Sequence, residues 1–88
     1  MQQLPIEIPQ EVGRLFLQFA REANAAGQRR FGANAIVERM RWHMRVERGV
    51  RTFKINNNWA PRLARWAMHQ DPALRGMFET RISRDERA

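Results

Sequence analysis

Arginines recur at three- and four-residue spacing in two stretches of this chain, and a run of three asparagines lies between them. If the first stretch is helical, Glu38, Arg41, Arg45 and Arg48 share a face, with Arg39 and Glu47 near its edges. Arg62, Arg65 and His69 repeat the spacing further on. A guanidinium is planar and permanently charged, so such faces suit bidentate contact with phosphate or carboxylate and stacking on bases. Asn56, Asn57 and Asn58, preceded by Lys54, would add amides at a helix N-terminus, where donors and acceptors can meet phosphates or base edges. The candidate nucleic-acid-binding set is therefore Arg41, Arg45, Arg48, Lys54, Asn56, Asn57, Asn58, Arg62 and Arg65. Arg29, Arg30 and Arg51 stand in connections that could extend the same surface.

Each of these features has a plainer explanation. Glu38 and Glu47 lie within reach of arginines on their own helix, so part of the charge is expected in solvated ion pairs worth a few tenths of a kcal/mol each, roughly. Asparagine also tolerates left-handed backbone and bonds to its own neighbours, so all three amides could do no more than shape a turn. Lys54 is the single lysine, and an arginine bias of that kind also arises from a GC-rich genome.

Other chemistry finds less support. His43 and His69 are the only histidines and stand in no metal-binding spacing such as H-E-x-x-H, and no glycine-rich phosphate loop is present. Glu38, Glu47, Asp71 and Glu79 have no spacing that predicts a shared metal. There is no cysteine to serve as nucleophile, thiolate ligand or disulfide partner. A non-enzymatic protein without a cofactor is expected. The net charge of +7 on 88 residues points to polyanions or acidic proteins as partners. No apolar run approaches a membrane span, and MQQLPIEIPQEV has neither the basic nor the apolar region of a secretory signal. Residence in the cytoplasm is the expectation.

The elements that must carry these residues follow from periodicity. A chain this short supports one core, so residues 9–82 are expected to form a single helical domain, with 1–8 as an extended arm and 83–88 as a flexible tail. Pro5 and Pro9 bracket the arm, which could dock through Leu4, Ile6 and Ile8. From Pro9, the residues Val12, Leu15, Phe16, Phe19, Ala20 and Ala23 make one apolar helical face that should stop near Gly27. A second helix is expected from Asn34 as its cap to Gly49, burying Ile36, Val37, Met40 and Met44, with Trp42 at the edge of the core. The composition of that face suits a core and an oligomer seam alike. An asparagine caps the third helix, Pro61 fits its first turn, and Trp59, Leu63, Trp66 and Ala67 face inward. Asp71-Pro72 restarts a short last helix.

Val50 to Ile55 and Phe78 to Ser83 alternate instead, as short strands would. The fold class is thus mainly α: a compact bundle of three to four helices, with room for a short two-stranded β ribbon, winged-helix-like at most. An ordinary helix-turn-helix is not expected, because Gly49 to Asn56 is longer than the turn of that motif.

The segments AIVERMRWHMRVERG, FKINNNWAPRLARWAM and DPALRGMFETR together resemble a group of small proteins encoded in tailed-phage and prophage genomes. That group shares an E-R-x-R-W segment, an F-K-x-N-N-N segment and a closing F-F-E-T-R-like segment. The likeness spans Gly32 to Arg81, with Met77 in place of the first aromatic of the last segment. It implies a viral or prophage source and a short accessory protein acting on host DNA or host enzymes, and it transfers no catalytic residue. Arg41, Trp42, Lys54, Asn56, Asn57, Asn58, Phe78, Glu79 and Arg81 are the matching positions. Two functions fit these residues. One is nucleic-acid binding, DNA favoured, through the arginine-rich helices. The other is inhibition or adaptation by docking onto an acidic host or viral protein.

Overall fold

A computed structural model describes residue 4 and residues 7–27 and 31–78. Four α-helices pack around one apolar core: α1 (Gln10–Ala25), α2 (Ala33–Trp42), α3 (Ala60–Gln70) and α4 (Arg75–Phe78). α2 continues into a π turn, His43–Glu47, and short 3₁₀ turns lead into α3 (Asn57–Trp59) and α4 (Pro72–Leu74).

α1 begins after Pro9, whose carbonyl accepts from Val12 and Gly13 N–H at 3.1 and 3.3 Å. Proline lacks the donor that the first turn would leave unpaired, so it fits there at no loss. The helix closes at Gly27, whose φ of 92° lies in the region glycine alone enters freely. Its inward stripe of Val12, Phe16, Phe19 and Ala20 is buried, and Leu15 and Ala23 pack at the margin. Ile8 is buried with this stripe and Leu4 lies against Gly13, so part of the expected arm docks as its apolar residues suggested. Ile6 and residues 83–88 lie outside the described residues.

α2 starts one residue before the asparagine expected to cap it. Gly32 is the cap, extended at φ −67° and ψ 151°, and its carbonyl accepts from Ala35 and Ile36. Burial of Ala33 at 4% exposure sets this phase, which places Asn34 on the exposed side of the first turn, with no side-chain cap bond. Ile36, Val37 and Met40 are buried as the spacing requires, whereas Met44 is only half-buried. The reason is the π turn. Arg48 N–H bonds to His43 C=O at 2.8 Å and Val50 N–H to Met44 C=O at 2.7 Å, wider rings than an α-helix forms, so the apolar stripe loses its phase there. Gly49, at φ 74°, ends the helix as expected.

Val50 to Ile55 does not form the strand expected of it. Among the described residues there is no strand: Val50 to Ile55 is a turn and an extended connection, and Phe78 closes α4. Phe53 N–H bonds back to Val50 C=O, and the Ile55 carbonyl, which a partner strand would have used, accepts from the Arg41 side chain instead. Alternation in this stretch serves to anchor a connection, with Ile55 buried and Phe53 packed at the edge of the core. Among the described residues there is therefore no wing. The remaining positions of the second segment, 79–83, lie outside the described residues.

α3 presents Ala60, Leu63, Ala64 and Ala67 to the core, with Trp59 and Trp66 half-buried against it. Asp71 accepts from Ala73 N–H at 3.1 Å and caps the turn into α4. Phe78 then packs obliquely on Phe16 at 5.9 Å between centroids, which joins α4 to α1.

Candidate nucleic-acid interface

Arg41, Arg45 and the asparagines are linked at the corner where α2 turns through Gly49 toward α3, whereas Arg62 and Arg65 lie along α3, and the fold gives them different tasks. Arg41 is the most committed. Its guanidinium donates to Glu38 Oε2 at 2.6 Å, to the Ile55 carbonyl at 3.1 Å and to Asn57 Oδ1 at 2.6 Å. Only a quarter of its side chain is exposed. One cation thus ties α2 to the connection that precedes α3, and little of it is left for an external anion.

The asparagine triplet divides in the same way. Asn56 Oδ1 accepts from Asn58 N–H at 2.8 Å and caps the turn into α3. Asn57, itself exposed, holds Arg41 through its Oδ1. The Asn58 side chain is exposed and makes no hydrogen bond among the described residues. One amide caps, one clamps, and one is spare.

The remaining cations separate into two groups. Arg45, Arg48, Arg51 and Lys54 are all exposed and none forms an ion pair among the described residues. Arg45 Nη2 reaches the Arg51 carbonyl at 3.4 Å, which brings the end of α2 beside the turn that follows it. On α3, Arg62 pairs with Glu7 of the N-terminal segment, and Arg65 is exposed without an ion pair among the described residues. The sequence set is therefore not one uniform face: Arg45, Arg48 and Lys54, with Arg51 beside Arg45, are open, Arg65 is open on α3, and Arg41 and Arg62 brace the fold.

Arg39 and His43 support this corner from the α1 side. The Arg39 guanidinium lies 4.6 Å over the buried Phe19 ring and His43 meets the same ring edge-on at 5.2 Å. Both reach Glu47 Oε1, Arg39 at 3.3 Å and His43 Nδ1 at 2.8 Å. A carboxylate only accepts, so that nitrogen carries the proton. The His43 hydrogen bond, with help from Arg39, holds Glu47 below its usual carboxylate range. The π turn is thereby fixed to α1 at its inner side.

Two residues of the corner were not legible as surface. Trp42 is 57% exposed and Val46 58%, four residues apart on the outward side of α2 and its π turn. The spacing expectation placed Trp42 at the edge of the core. The available signal was its position five and six residues after Val37 and Ile36, which is out of phase with the buried stripe.

Among the described residues no three of His, Asp or Glu gather as a metal site would need, and no helix is long and apolar enough to cross a membrane. Comparison of the chain with family models, with curated protein sequences and with solved structures finds no match.

Proposed function

We propose that this protein binds nucleic acid through the α2–α3 corner, with Arg45, Arg48, Arg51 and Lys54 engaging phosphates and Asn58 contributing a polar contact. The observation that carries the reading is that these four cations are exposed together without ion-pair partners among the described residues, while Arg39, Arg41 and Arg62 are paired. Arg14, Arg65 and Arg75 are also exposed without an ion pair among the described residues, but only Arg45 to Lys54 places four such cations within ten consecutive residues. Charges left open on a +7 chain favour polyanions by counterion release, and the short connection keeps them close in space. The resemblance to tailed-phage and prophage proteins supports a small accessory role in the host cytoplasm.

The test is fluorescence anisotropy with labelled duplex DNA, single-stranded DNA and RNA over a salt series, using the wild type and an Arg45→Ala/Arg48→Ala/Arg51→Ala variant. If all four cations engage phosphate, log Kobs should fall against log salt with a slope of about −3 to −4. The triple variant should lose most of that slope. Binding that vanishes by about 0.15 M salt, or a slope that the variant leaves intact, removes the reading.

A second reading rests on Trp42 and Val46. An exposed aromatic rimmed by arginine is also the composition of a protein-binding hot spot, so an acidic protein could dock on this corner. Such a complex should depend less on salt than on the buried aromatic.

A further inference from the structure

Trp42 stands on the outward side of α2, four residues before Val46 and three before Arg45. With 57% of its surface open it is the most exposed tryptophan, since Trp59 and Trp66 pack against the core. Nothing in the fold requires an indole here, because the buried stripe of α2 runs through Ile36, Val37 and Met40. Glu38, four residues before Trp42, pairs with Arg41 at 2.6 Å. The flank nearest Gly49 is cationic, with Arg45 and Arg51 joined by the bond from Arg45 to the Arg51 carbonyl.

We infer that Trp42 is a stacking platform for an unpaired base, so that the preferred ligand of the corner is single-stranded rather than duplex nucleic acid. The inference rests on the nucleic-acid reading above and adds the ligand class to it. In a duplex the faces of the bases are covered by their neighbours, and only the edges and the phosphates are offered. A lone indole on a convex helix cannot reach into a groove and use its face. A single strand presents the face of every base, and its phosphates can lie along Arg45, Arg48 and Arg51 while one base covers Trp42. Val46 extends the apolar floor by one helical turn. A second copy of the chain is a poor occupant, because matching the two surfaces would bring their unpaired arginines together.

The experiment uses the full chain, a 12-nucleotide single strand and a 12-base-pair duplex of the same sequence, read by intrinsic tryptophan fluorescence and by anisotropy. Wild type, Trp42→Ala, Trp42→Phe and the triple arginine variant are compared, with circular dichroism to show that each is folded. Expected is quenching by the single strand that disappears in Trp42→Phe, tighter binding of the single strand than of the duplex, and a loss of about tenfold in single-strand affinity in Trp42→Ala. Duplex affinity should change less than about twofold in that variant.

If both ligands bind, lose affinity in the arginine variant and ignore Trp42→Ala, stacking is refuted and the phosphate reading survives. If neither ligand binds, both readings fall together. If polyglutamate of equal charge displaces the strand as well as another oligonucleotide does, the site recognises acid rather than bases and the inference is overturned. A dimer in sedimentation that Trp42→Ala dissociates overturns it as well, by making Trp42 a seam.

Discussion

Arg41→Ala separates a scaffold arginine from a ligand-binding one. The substitution removes three acceptor contacts at once: Glu38 and Asn57 at 2.6 Å and the part-buried Ile55 carbonyl at 3.1 Å. The exposed pair with Glu38 contributes about 0.3–0.5 kcal/mol. A carbonyl left partly buried and unpaired costs about 1–2 kcal/mol, since water reaches some of it, and the Asn57 bond adds about 0.5 kcal/mol. The sum is about 2–3 kcal/mol, which in a domain of this size lowers Tm by about 8–24 °C. Thermal and urea unfolding followed at 222 nm should show that loss in Arg41→Ala, whereas Arg48→Ala should stay within about 0.5 kcal/mol of wild type. Arg41→Lys keeps the charge but cannot span three acceptors, so it should recover less than half. Equal midpoints for Arg41→Ala and Arg48→Ala would refute the clamp and return Arg41 to the proposed binding set.

The asparagines should grade in the same assay: Asn56→Ala loses a cap and about 1 kcal/mol, Asn57→Ala less, and Asn58→Ala almost nothing. Nucleic-acid affinity should follow the opposite order if Asn58 contacts the ligand. Glu47 is held below its ordinary value by His43 and Arg39, and Asp71 by Arg21 and the Ala73 N–H. A folded pKa below the unfolded one adds stability that is whole above about pH 5 and is lost as the pH falls through the lowered values. Melts from pH 7 to pH 2 should therefore decline below that point, and Glu47→Gln with Asp71→Asn should flatten the decline. Gly13→Ala gains about 1 kcal/mol of helix propensity, but the new methyl collides with the Leu4 side chain. Tm should change little while the N-terminal segment becomes more sensitive to protease, and protection equal to wild type would show that Leu4 yields without leaving.

Much of the fold was legible because α1 and α3 bury regular stripes: Phe16 and Phe19, and Leu63 and Ala67, fall where a helical period puts them. Boundaries were less legible. Asn34 looks like a better cap than Gly32, yet burying Ala33 decides the start of α2, and that preference is tertiary. Val50 to Ile55 alternates as a strand does, but a strand also needs a partner, and Arg41 took the carbonyl that pairing would have used. In the site, sequence spacing identified the arginines without showing which were already occupied. Pairing of Arg62 with Glu7, 55 residues away, has no local signature. The exposure of Trp42 depends on where the core lies, and the widened turn after it disturbs the pattern from which that would be read.

The contacts of Arg41 have a consequence for the order in which the molecule assembles. They close chain segments of 14 and 16 residues, whereas Arg62 to Glu7 closes 55 and Arg21 to Asp71 closes 50. Loop-closure entropy grows by about 0.6 kcal/mol per doubling of length, so the longer closures are disfavoured by about 1 kcal/mol relative to the corner. The cationic corner can therefore be complete while the N-terminal segment is still unattached. If the contacts of that segment form after the barrier, as their longer closures favour, detaching it should raise the unfolding rate and leave the folding rate nearly unchanged.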